Sequence, residues 1–307
     1  MELVHVGVFF VMLDGVGLGR PGSSNPVSDP GLPSLSRILG VPLDSSGFKS
    51  GEVRTSRAVA FSVDAKLGVE GIPQSATGQT SIFCGINAAS ILGRHENSHP
   101  GRHLTGLIED GNLFHDGIRR GKTTFLNAYR PEAFSWMEQG TYTPSTTTVA
   151  AKAAGIPLRS FAQLHQGEAL YHDITHWTLR LKQPDFPERQ PAEAGKIALS
   201  VMRKHLLTVF EYFVTDIAGH RQDEALARYV LSVLDQFFVT IIGGISSEDY
   251  LVITADHGNL EDLSTSAHTQ NDVFLVVISG KEIPELPRPR DLSHVRQLVG
   301  QLIEVVS

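Results

Sequence analysis

Three apolar segments of this 307-residue sequence each lead into an acidic residue, and this pattern constrains the fold more than any other feature. Residues 7–13 are nearly all apolar, with β-branched and aromatic side chains, and are followed by Asp14. Similar runs precede Asp216 and Asp256. Continuous apolar runs of this length are typical of strands that are buried on both faces of a parallel sheet. We therefore predict core strands whose carboxyl ends carry acidic side chains.

Segments with helical spacing of apolar residues lie between and after these strands, notably at 192–207, 224–238 and 292–305. Strands that alternate with helices predict an α/β fold, with a mostly parallel sheet flanked by helices. The stretch from 93 to 190 differs, because its periodicity is weak and it is rich in His, Arg, Thr and Pro. We predict a discontinuous core of residues 1–92 and 191–307 and a smaller inserted cap domain of residues 93–190. Long excursions within one domain are the alternative.

The composition narrows the class of function. A formal net charge of −7 argues against a broad nucleic-acid-binding face, although bound cations would still permit a small anionic substrate. The single cysteine, Cys84, allows no intrachain disulfide and no thiolate-rich zinc site, which fits a cytoplasmic location. The N-terminus has no basic leader, and apolar runs fall short of the ~20 residues of a membrane-spanning helix. We expect neither a signal peptide nor a membrane partner, and the sequence makes no prediction of oligomeric state.

Polar residues at the predicted strand ends form a candidate metal site. Six of them offer carboxylate or imidazole groups, namely Asp14, Asp216, His220, Asp256, His257 and His268. Ligands of open α/β sheets bind beyond the carboxyl ends of the strands, so these groups should converge. Each alone has an ordinary alternative, such as a turn aspartate, a helix cap or a surface histidine. Oxygen and nitrogen ligands suit Zn²⁺, Mn²⁺ or Fe²⁺, and six ligands fit two neighbouring ions better than one.

Two further segments bear on anion binding. Ser75 follows a Pro-Gln pair and begins a run of small residues that we predict to be a helix, whose N-terminal amides favour an anion. The glycine-rich loop after Asp14 has the appearance of a dinucleotide-binding fingerprint. Arg20 stands where the third glycine belongs, however, and Pro21 follows at once. We therefore expect no nucleotide cofactor.

Five short motifs occur along the chain in a fixed order. They are MLDG at 12–15, QSATGQ at 74–79, TDIAGH at 215–220, TADHGN at 254–259 and HT at 268–269. With these motifs the chain resembles the alkaline phosphatase superfamily of metalloenzymes, especially the cofactor-independent phosphoglycerate mutase and phosphopentomutase branch. The motifs span both ends of the chain, and their shared order makes the resemblance specific.

The resemblance implies an alkaline-phosphatase-like core and two divalent metal ions, Zn²⁺ or Mn²⁺. One ion would be held by Asp216, His220 and His268. The other would be held by Asp14, Asp256 and His257, with Ser75 as an adjacent ligand. The nucleophile of the family lies three residues before a motif glycine, here Gly78, which favours Ser75 over Thr77 as the catalytic residue. A plain helix cap remains compatible with that role.

The chain also departs from the family pattern. Gln79 stands where the mutases often have histidine, and residues 93–190 are far fewer than the insert of the long phosphoglycerate mutases. Those enzymes hold their substrate with arginines of the insert. Arg94 and Arg102, each followed by a histidine, are our candidates for substrate contacts, with solvated loop charge as the alternative. Arg130 and Arg159 are also available.

The sequence thus predicts a two-metal enzyme that transfers a phosphoryl group of a small phosphate ester through a phosphoserine. A phosphatase is favoured over a phosphomutase, because a mutase needs a closing cap to exclude water and the insert here is short. A phosphodiesterase, a two-metal peptidase or amidase, and a binding module that has kept its metals are the alternatives.

Overall fold

A computed structural model describes residues 7–307; residues 1–6, at the start of the predicted core, lie outside the described residues. The strands are β1 (Val8–Leu13), β2 (Glu52–Arg54), β3 (Ala58–Val63), β4 (Thr123–Phe125), β5 (Ala128–Tyr129), β6 (Arg159–Ser160), β7 (Leu207–Tyr212), β8 (Tyr250–Ala255) and β9 (Val273–Ser279). The α-helices are α1 (Pro33–Leu39), α2 (Ser75–Cys84), α3 (Ala88–Leu92), α4 (Arg102–Asp110), α5 (Leu113–Arg120), α6 (Pro131–Glu138), α7 (Thr146–Ala153), α8 (Phe161–His165), α9 (Trp177–Arg180), α10 (Pro191–Met202), α11 (Val214–Arg221), α12 (Glu224–Gly244) and α13 (Val295–Val306). A π-helical turn covers Val27–Gly31, and a 3-10 turn over Leu292–His294 precedes α13.

Seven strands form the central sheet, in the order β2-β3-β9-β8-β1-β7-β4. Strands β8, β1, β7 and β4 run parallel to one another, whereas β9 runs antiparallel to β8. Every residue of β1, β7 and β8 is buried, as expected for parallel strands covered on both faces. The predicted α/β class with a mostly parallel sheet flanked by helices is confirmed.

Consecutive phenylalanines of β1 show how the two faces are covered, because successive strand residues point to opposite sides. Phe9 packs edge-to-face against Phe237 of α12, at a centroid distance of 6.3 Å. Phe10 packs against Phe83 of α2 on the opposite face, at 6.0 Å. Phe83 stacks in turn on Phe114 of α5. Helix α2, which begins at Ser75, is thereby fixed against the middle of the sheet.

Within the described residues, α12 is the one helix that is long and apolar enough, by length and composition, to cross a membrane. Its Phe237 and Phe238 are fully buried against the sheet and neighbouring helices. The apolar face of α12 is therefore used for packing in this fold.

The predicted cap of residues 93–190 stays a prediction, and the contacts favour narrower boundaries. Strand β4 lies inside that range but pairs in parallel with β7 at the edge of the central sheet. Beyond it, β5 and β6 form a separate two-stranded sheet. Near that small sheet lies a separate apolar cluster, formed by Ala128, Leu164, Ala169, Tyr171 and Leu179. We propose that the cap proper begins after β4, because β4 belongs to the core sheet.

Candidate metal centre

The six predicted ligands lie at one edge of the sheet. Asp14 follows β1, Asp256 follows β8, and Asp216 lies in the first turn of α11, directly after β7. These three strands are neighbours in the sheet, so their carboxyl ends meet at the same place. The structure therefore brings together the side chains that the sequence placed at strand ends.

The first cluster contains Asp216, His220 and His268, whose ligand atoms lie within 4.8 Å of one another. Nε2 of His220 is 3.2 Å from Oδ2 of Asp216, and Nε2 of His268 is 3.5 Å from Oδ1. Their spacing of four residues on α11 places Asp216 and His220 on one face of the helix. The loop before β9 supplies His268 from the other side.

The second cluster contains Asp14, Asp256 and His257, again within 4.8 Å. Nε2 of His257 is 3.2 Å from Oδ1 of Asp14 and 3.7 Å from Oδ1 of Asp256. The rings of His257 and His268 stack at a centroid distance of 3.8 Å. The two clusters are thus immediate neighbours, an arrangement that suits two metal ions close together.

Each of the three histidines is oriented by a backbone carbonyl. The pairs, with their Nδ1-to-oxygen distances, are His220 with Ser266 at 2.7 Å, His257 with Gly258 at 3.3 Å, and His268 with Pro73 at 3.0 Å. When Nδ1–H donates to a carbonyl, Nε2 is left as the lone-pair donor, as in known metal sites. All three Nε2 atoms point into the clusters.

Two of the carboxylates are held by buried donors. Asp256 accepts hydrogen bonds from Gly15 N at 3.1 Å and from Gln79 Nε2 at 2.9 Å. Asp216 accepts one from Asn259 Nδ2 at 2.7 Å. Gln79, noted in the sequence only as a departure from the mutase pattern, thus has a definite role in orienting a carboxylate.

Glu261 was missed by sequence reasoning, although it lies two residues after the TADHGN motif. Its carboxylate is 1% exposed and accepts hydrogen bonds from Gly17 N, Asn259 N, Asn271 Nδ2 and the hydroxyl of Thr269. These donors belong to the loops that carry Asp14, His257 and His268. Glu261 therefore joins the ligand-bearing loops to one another.

The electrostatics of the clusters call for cations. Burial, followed by repulsion from Asp256, raises the pKa of Asp14 well above its usual range. Burial alone would lower the pKa of His257, but Asp256 and Asp14 outweigh it and raise the pKa to about 10. Among the described residues, no group donates a hydrogen bond to the buried Oδ1 of Asp14. Nε2 of His220 and of His268 face each other at 3.0 Å, which is repulsive for two lone pairs unless a cation or proton separates them.

The donor set thus fits divalent metal ions. Bound cations would account for the oxygen and nitrogen ligand atoms and for the lone pairs that meet in each cluster. They would also account for the buried Oδ1 of Asp14, to which no described residue donates a hydrogen bond. In each cluster the residues that would hold an ion are those that the sequence grouped together.

Ser75 and Thr77 differ in what their hydroxyls contact. Oγ of Ser75, the first residue of α2, lies 2.9 Å from Nε2 of His257. The hydroxyl of Thr77 instead donates to the carbonyl of Gln74 at 3.1 Å and accepts from Glu96 N at 3.3 Å. Of the two hydroxyls, only that of Ser75 lies at the metal clusters.

Close packing explains the small residue three positions after Ser75. A Cβ on Gly78 would lie 2.6 Å from the carbonyl oxygen of Asp256. A Cβ on Gly15, whose φ is +68°, would lie 2.6 Å from Oδ1 of Asp216. Glycine at these positions lets α2 and the loop after β1 approach the metal clusters.

A cavity of about 500 Å³ opens beside the clusters, and Asp14, Ser75 and Asp216 are part of its lining. Arg130 lines it as well, with its guanidinium 6.0 Å from the centre of the Trp136 ring. Arg130 makes no ion pair with the described residues.

The two arginines predicted to contact substrate, Arg94 and Arg102, do not line this cavity. Arg94 pairs with Glu96 at 3.3 Å and is largely exposed, and Arg102 begins α4 on the surface. The cavity lining therefore favours Arg130 as the arginine that contacts substrate. From the sequence alone, Arg130 was one of several available arginines.

Glu211 is a buried carboxylate in the wall of the same cavity. Burial, with a contribution from Asp256, raises its pKa to about 7, although a hydrogen bond from Ser145 opposes the shift. Ser145 also contacts the hydroxyl of Thr148, which contacts Tyr129. In the sequence, Glu211 is a lone charge within the mostly apolar segment that precedes Asp216.

Comparison with known proteins agrees with this geometry. Residues 185–305 match the family model of the Metalloenzyme superfamily. Over this part, the chain is similar to the metalloenzymes that the model describes. The resemblance predicted from the five motifs is thus confirmed.

Similar solved structures cover nearly the whole chain. One is the PH0037 protein from Pyrococcus horikoshii, with a TM-score of 0.58, 13% identity, and coverage of 99% of this chain and 98% of that one. Another is Thermus thermophilus alkaline phosphatase, with a TM-score of 0.55, 9% identity, and coverage of 99% and 92%. At such identities the likeness establishes the alkaline-phosphatase-like fold.

A curated relative is closer in sequence over a shorter region. The 2,3-bisphosphoglycerate-independent phosphoglycerate mutase of Ehrlichia ruminantium is 30% identical to this chain over 112 residues. The match covers 34% of this chain and 22% of that protein. The chain thus spans about a fifth of the length of the relative it matches.

Proposed function

We propose that the chain transfers the phosphoryl group of a small phosphate ester to Ser75 and then to water, as a two-metal phosphatase. The observation that carries this proposal is the position of Oγ of Ser75, 2.9 Å from Nε2 of His257 on the wall of the cavity. When bound at the two clusters, Zn²⁺ or Mn²⁺ would lower the pKa of nearby hydroxyls and neutralise phosphoryl charge.

The residues of the chain account for the steps as follows. Oγ of Ser75 loses its proton and forms a bond to phosphorus, while the bond from phosphorus to the ester oxygen breaks and the leaving alcohol takes up a proton. Water then attacks the phosphoserine, which releases phosphate and restores the hydroxyl. The backbone amides at the start of α2 stabilise the phosphoryl anion, and Arg130 is the cation of the wall that suits a phosphate oxygen.

A phosphomutase is the second candidate, supported by the 30% identity to a phosphoglycerate mutase over 112 residues. A mutase must keep water from the phosphoserine. Hydrolysis is favoured because the cavity wall includes exposed residues of a loop, Asn97, Ser98 and His99. Phosphodiester hydrolysis is a lesser alternative. A peptidase or amidase would have no use for a serine at the start of a helix.

The test uses protein reconstituted with Zn²⁺ or with Mn²⁺ and a panel of phosphate mono- and diesters. Phosphorus NMR of the products separates the candidates, because a phosphatase releases free phosphate whereas a mutase yields an isomeric ester. Acid-quenched enzyme should carry phosphate on the peptide that contains Ser75, detected by mass spectrometry. Phosphate on Thr77, or turnover of every substrate without a phosphopeptide, would contradict the serine mechanism. A cytoplasmic location remains a prediction.

A further inference from the structure

The cavity beside the metal clusters has an unusually aromatic wall. Three of the six tyrosines of the chain and one of its two tryptophans line it, together with a phenylalanine and the ring of His172, which packs between two of these aromatic side chains. These side chains are Tyr129, Trp136, Tyr142, Tyr171, His172 and Phe213. A site for the phosphate alone would need no such rings. Its volume of about 500 Å³ falls within the ~300–1,000 Å³ of sites that enclose an organic ligand.

One part of the wall is a stack of rings that begins next to the first metal cluster. Phe213, three residues before Asp216, stacks on His172 at a centroid distance of 4.4 Å and an angle of 22°. His172 contacts Tyr171 at 4.1 Å. Burial lowers the pKa of His172 to about 4, so its ring is neutral near pH 7 and suited to stacking.

Another part of the wall is a ring without an aromatic partner. Trp136 is 41% exposed, and among the described residues its ring packs against no other aromatic side chain. Arg130 lies 6.0 Å from its centre. An exposed tryptophan ring that lines a cavity is suited to stack on a flat ligand. Exposed polar groups of Asn97 and Thr143 lie on the same wall and suit the ring nitrogens and amino groups of a heterocycle.

We propose that the cavity binds phosphate monoesters whose alcohol carries a planar heterocycle, as in a nucleoside 5′-monophosphate, with the heterocycle packed against the aromatic wall. This inference rests on the proposed function and names its substrate class. The phosphate end of the ester faces Ser75 and the metal clusters, and the ring end faces the cap.

The kinetic test compares adenosine 5′-monophosphate with methyl ribofuranoside 5-phosphate. Both esters release the same kind of primary alcohol, so a difference in kcat/KM reports on binding of the base and not on leaving-group reactivity. We expect kcat/KM to be about tenfold higher for the nucleotide, which corresponds to ~1.4 kcal/mol. Trp136→Ala should remove most of this preference, chiefly by raising KM for the nucleotide.

Two control variants accompany Trp136→Ala. Trp136→Phe keeps a ring and should restore part of the preference. Tyr229→Ala removes a side chain of equal exposure, 41%, that lies outside the cavity, and should leave the preference unchanged.

A binding test does not depend on turnover. Trp177→Phe leaves Trp136 as the one tryptophan of the chain. Adenosine, which lacks phosphate, should quench its fluorescence saturably, whereas methyl ribofuranoside should not. Equal kcat/KM for the two esters, with no quenching by adenosine, would overturn the aromatic subsite and leave the phosphatase proposal intact. Failure to turn over any phosphate ester, with quenching by adenosine retained, would instead contradict the proposed reaction and support the subsite.

Discussion

The metal clusters and the aromatic wall of the cavity are built from different kinds of element. The clusters lie at the ends of three neighbouring buried strands, and their side chains are held by carbonyls, amides and the carboxylate of Glu261. The aromatic wall lies mostly on short elements and loops between β4 and α10, and its Trp136 is 41% exposed. The comparison indicates that the chemistry is fixed by the rigid core, whereas substrate preference depends on the part that differs most readily between related proteins.

Loss of the hydroxyl at Ser75 should have the largest effect on turnover, and it tests the role assigned to the metal clusters and the core. Ser75→Ala should lower kcat by roughly 10⁴–10⁶-fold, the scale seen when a catalytic nucleophile is removed. Six carboxylate and imidazole ligands remain, so metal analysis should still find close to two ions per chain. Thr77→Ala is the matched control and should be mild, because that hydroxyl contacts backbone groups. Full activity of Ser75→Ala would refute the assignment.

The sequence was informative about the core side for physical reasons. Asp14, Asp216 and Asp256 follow apolar runs, and parallel strands bring such ends together whatever the details of the loops. Strand β7 begins at Leu207, where the helical spacing at 192–207 predicted the end of a helix, and it pairs with β1 from Val8 opposite Leu207 to Leu13 opposite Tyr212. Such a register depends on the partner strand and cannot be read from one segment.

The cap side was much less predictable. Trp136, Tyr171 and Phe213 are far apart in the sequence, and aromatic residues of this kind also occur in hydrophobic cores, so nothing local marks them as one wall. Arg94 and Arg102, each followed by a histidine, were predicted to contact substrate but lie outside the cavity. Their surroundings are set by the tertiary path of irregular segments, which carry little periodicity.

Glu211, the buried carboxylate between the metal clusters and the aromatic wall, should give the next largest effect, a change of stability with pH. The pKa of Glu211 is about 7 in the folded chain, against a usual value of 4.5. The folded state therefore binds the proton more tightly than the unfolded state, and stability falls as the pH rises from about 4.5 to 7. At ~1.4 kcal/mol per pKa unit, the cost at pH 8 is on the order of 3 kcal/mol.

Glu211→Gln keeps the shape and the acceptor for Ser145 but cannot ionise. Relative to the wild type, it should be close to neutral in stability at pH 5 and more stable at pH 8. Urea unfolding of chelator-treated protein at the two pH values measures the difference. A difference that does not change with pH would show that Glu211 does not titrate in this range.

Glu261 tests whether the ligand loops act as one unit. Glu261→Gln replaces one acceptor oxygen by an amide donor, so two of the four hydrogen bonds cannot form. We expect the dissociation constant for Zn²⁺ to rise by ~10–100-fold, as for other residues that orient metal ligands. Competition with a chromophoric chelator measures it.

Asp44→Asn is the matched control for that experiment. Asp44 is also 1% exposed and accepts several hydrogen bonds, from Ser28, Ser46 and Gly47, but it touches none of the ligand loops. Its replacement should reduce stability and leave the affinity for Zn²⁺ unchanged. Equal weakening of metal binding by both variants would mean that Glu261 acts through general stability only.

The smallest expected effect concerns which arginine contacts the phosphate of the substrate, and it tests the aromatic-wall side of the comparison. Arg130 lines the cavity without an ion pair among the described residues, so its charge is free for a phosphate oxygen. A hydrogen bond to a charged group contributes ~1.5–3 kcal/mol, and Arg130→Ala should therefore lower kcat/KM about tenfold or somewhat more. Arg130→Lys keeps the charge but not the bidentate geometry, so its kcat/KM should lie between those of the wild type and Arg130→Ala. Arg94→Ala and Arg102→Ala, which remove charges outside the cavity, should leave kcat/KM unchanged. If Arg94 or Arg102 proved to be the sensitive position, the segment from the end of α3 to the start of α4 would have to close over the cavity when substrate binds, and this segment would be a moving part of the active site.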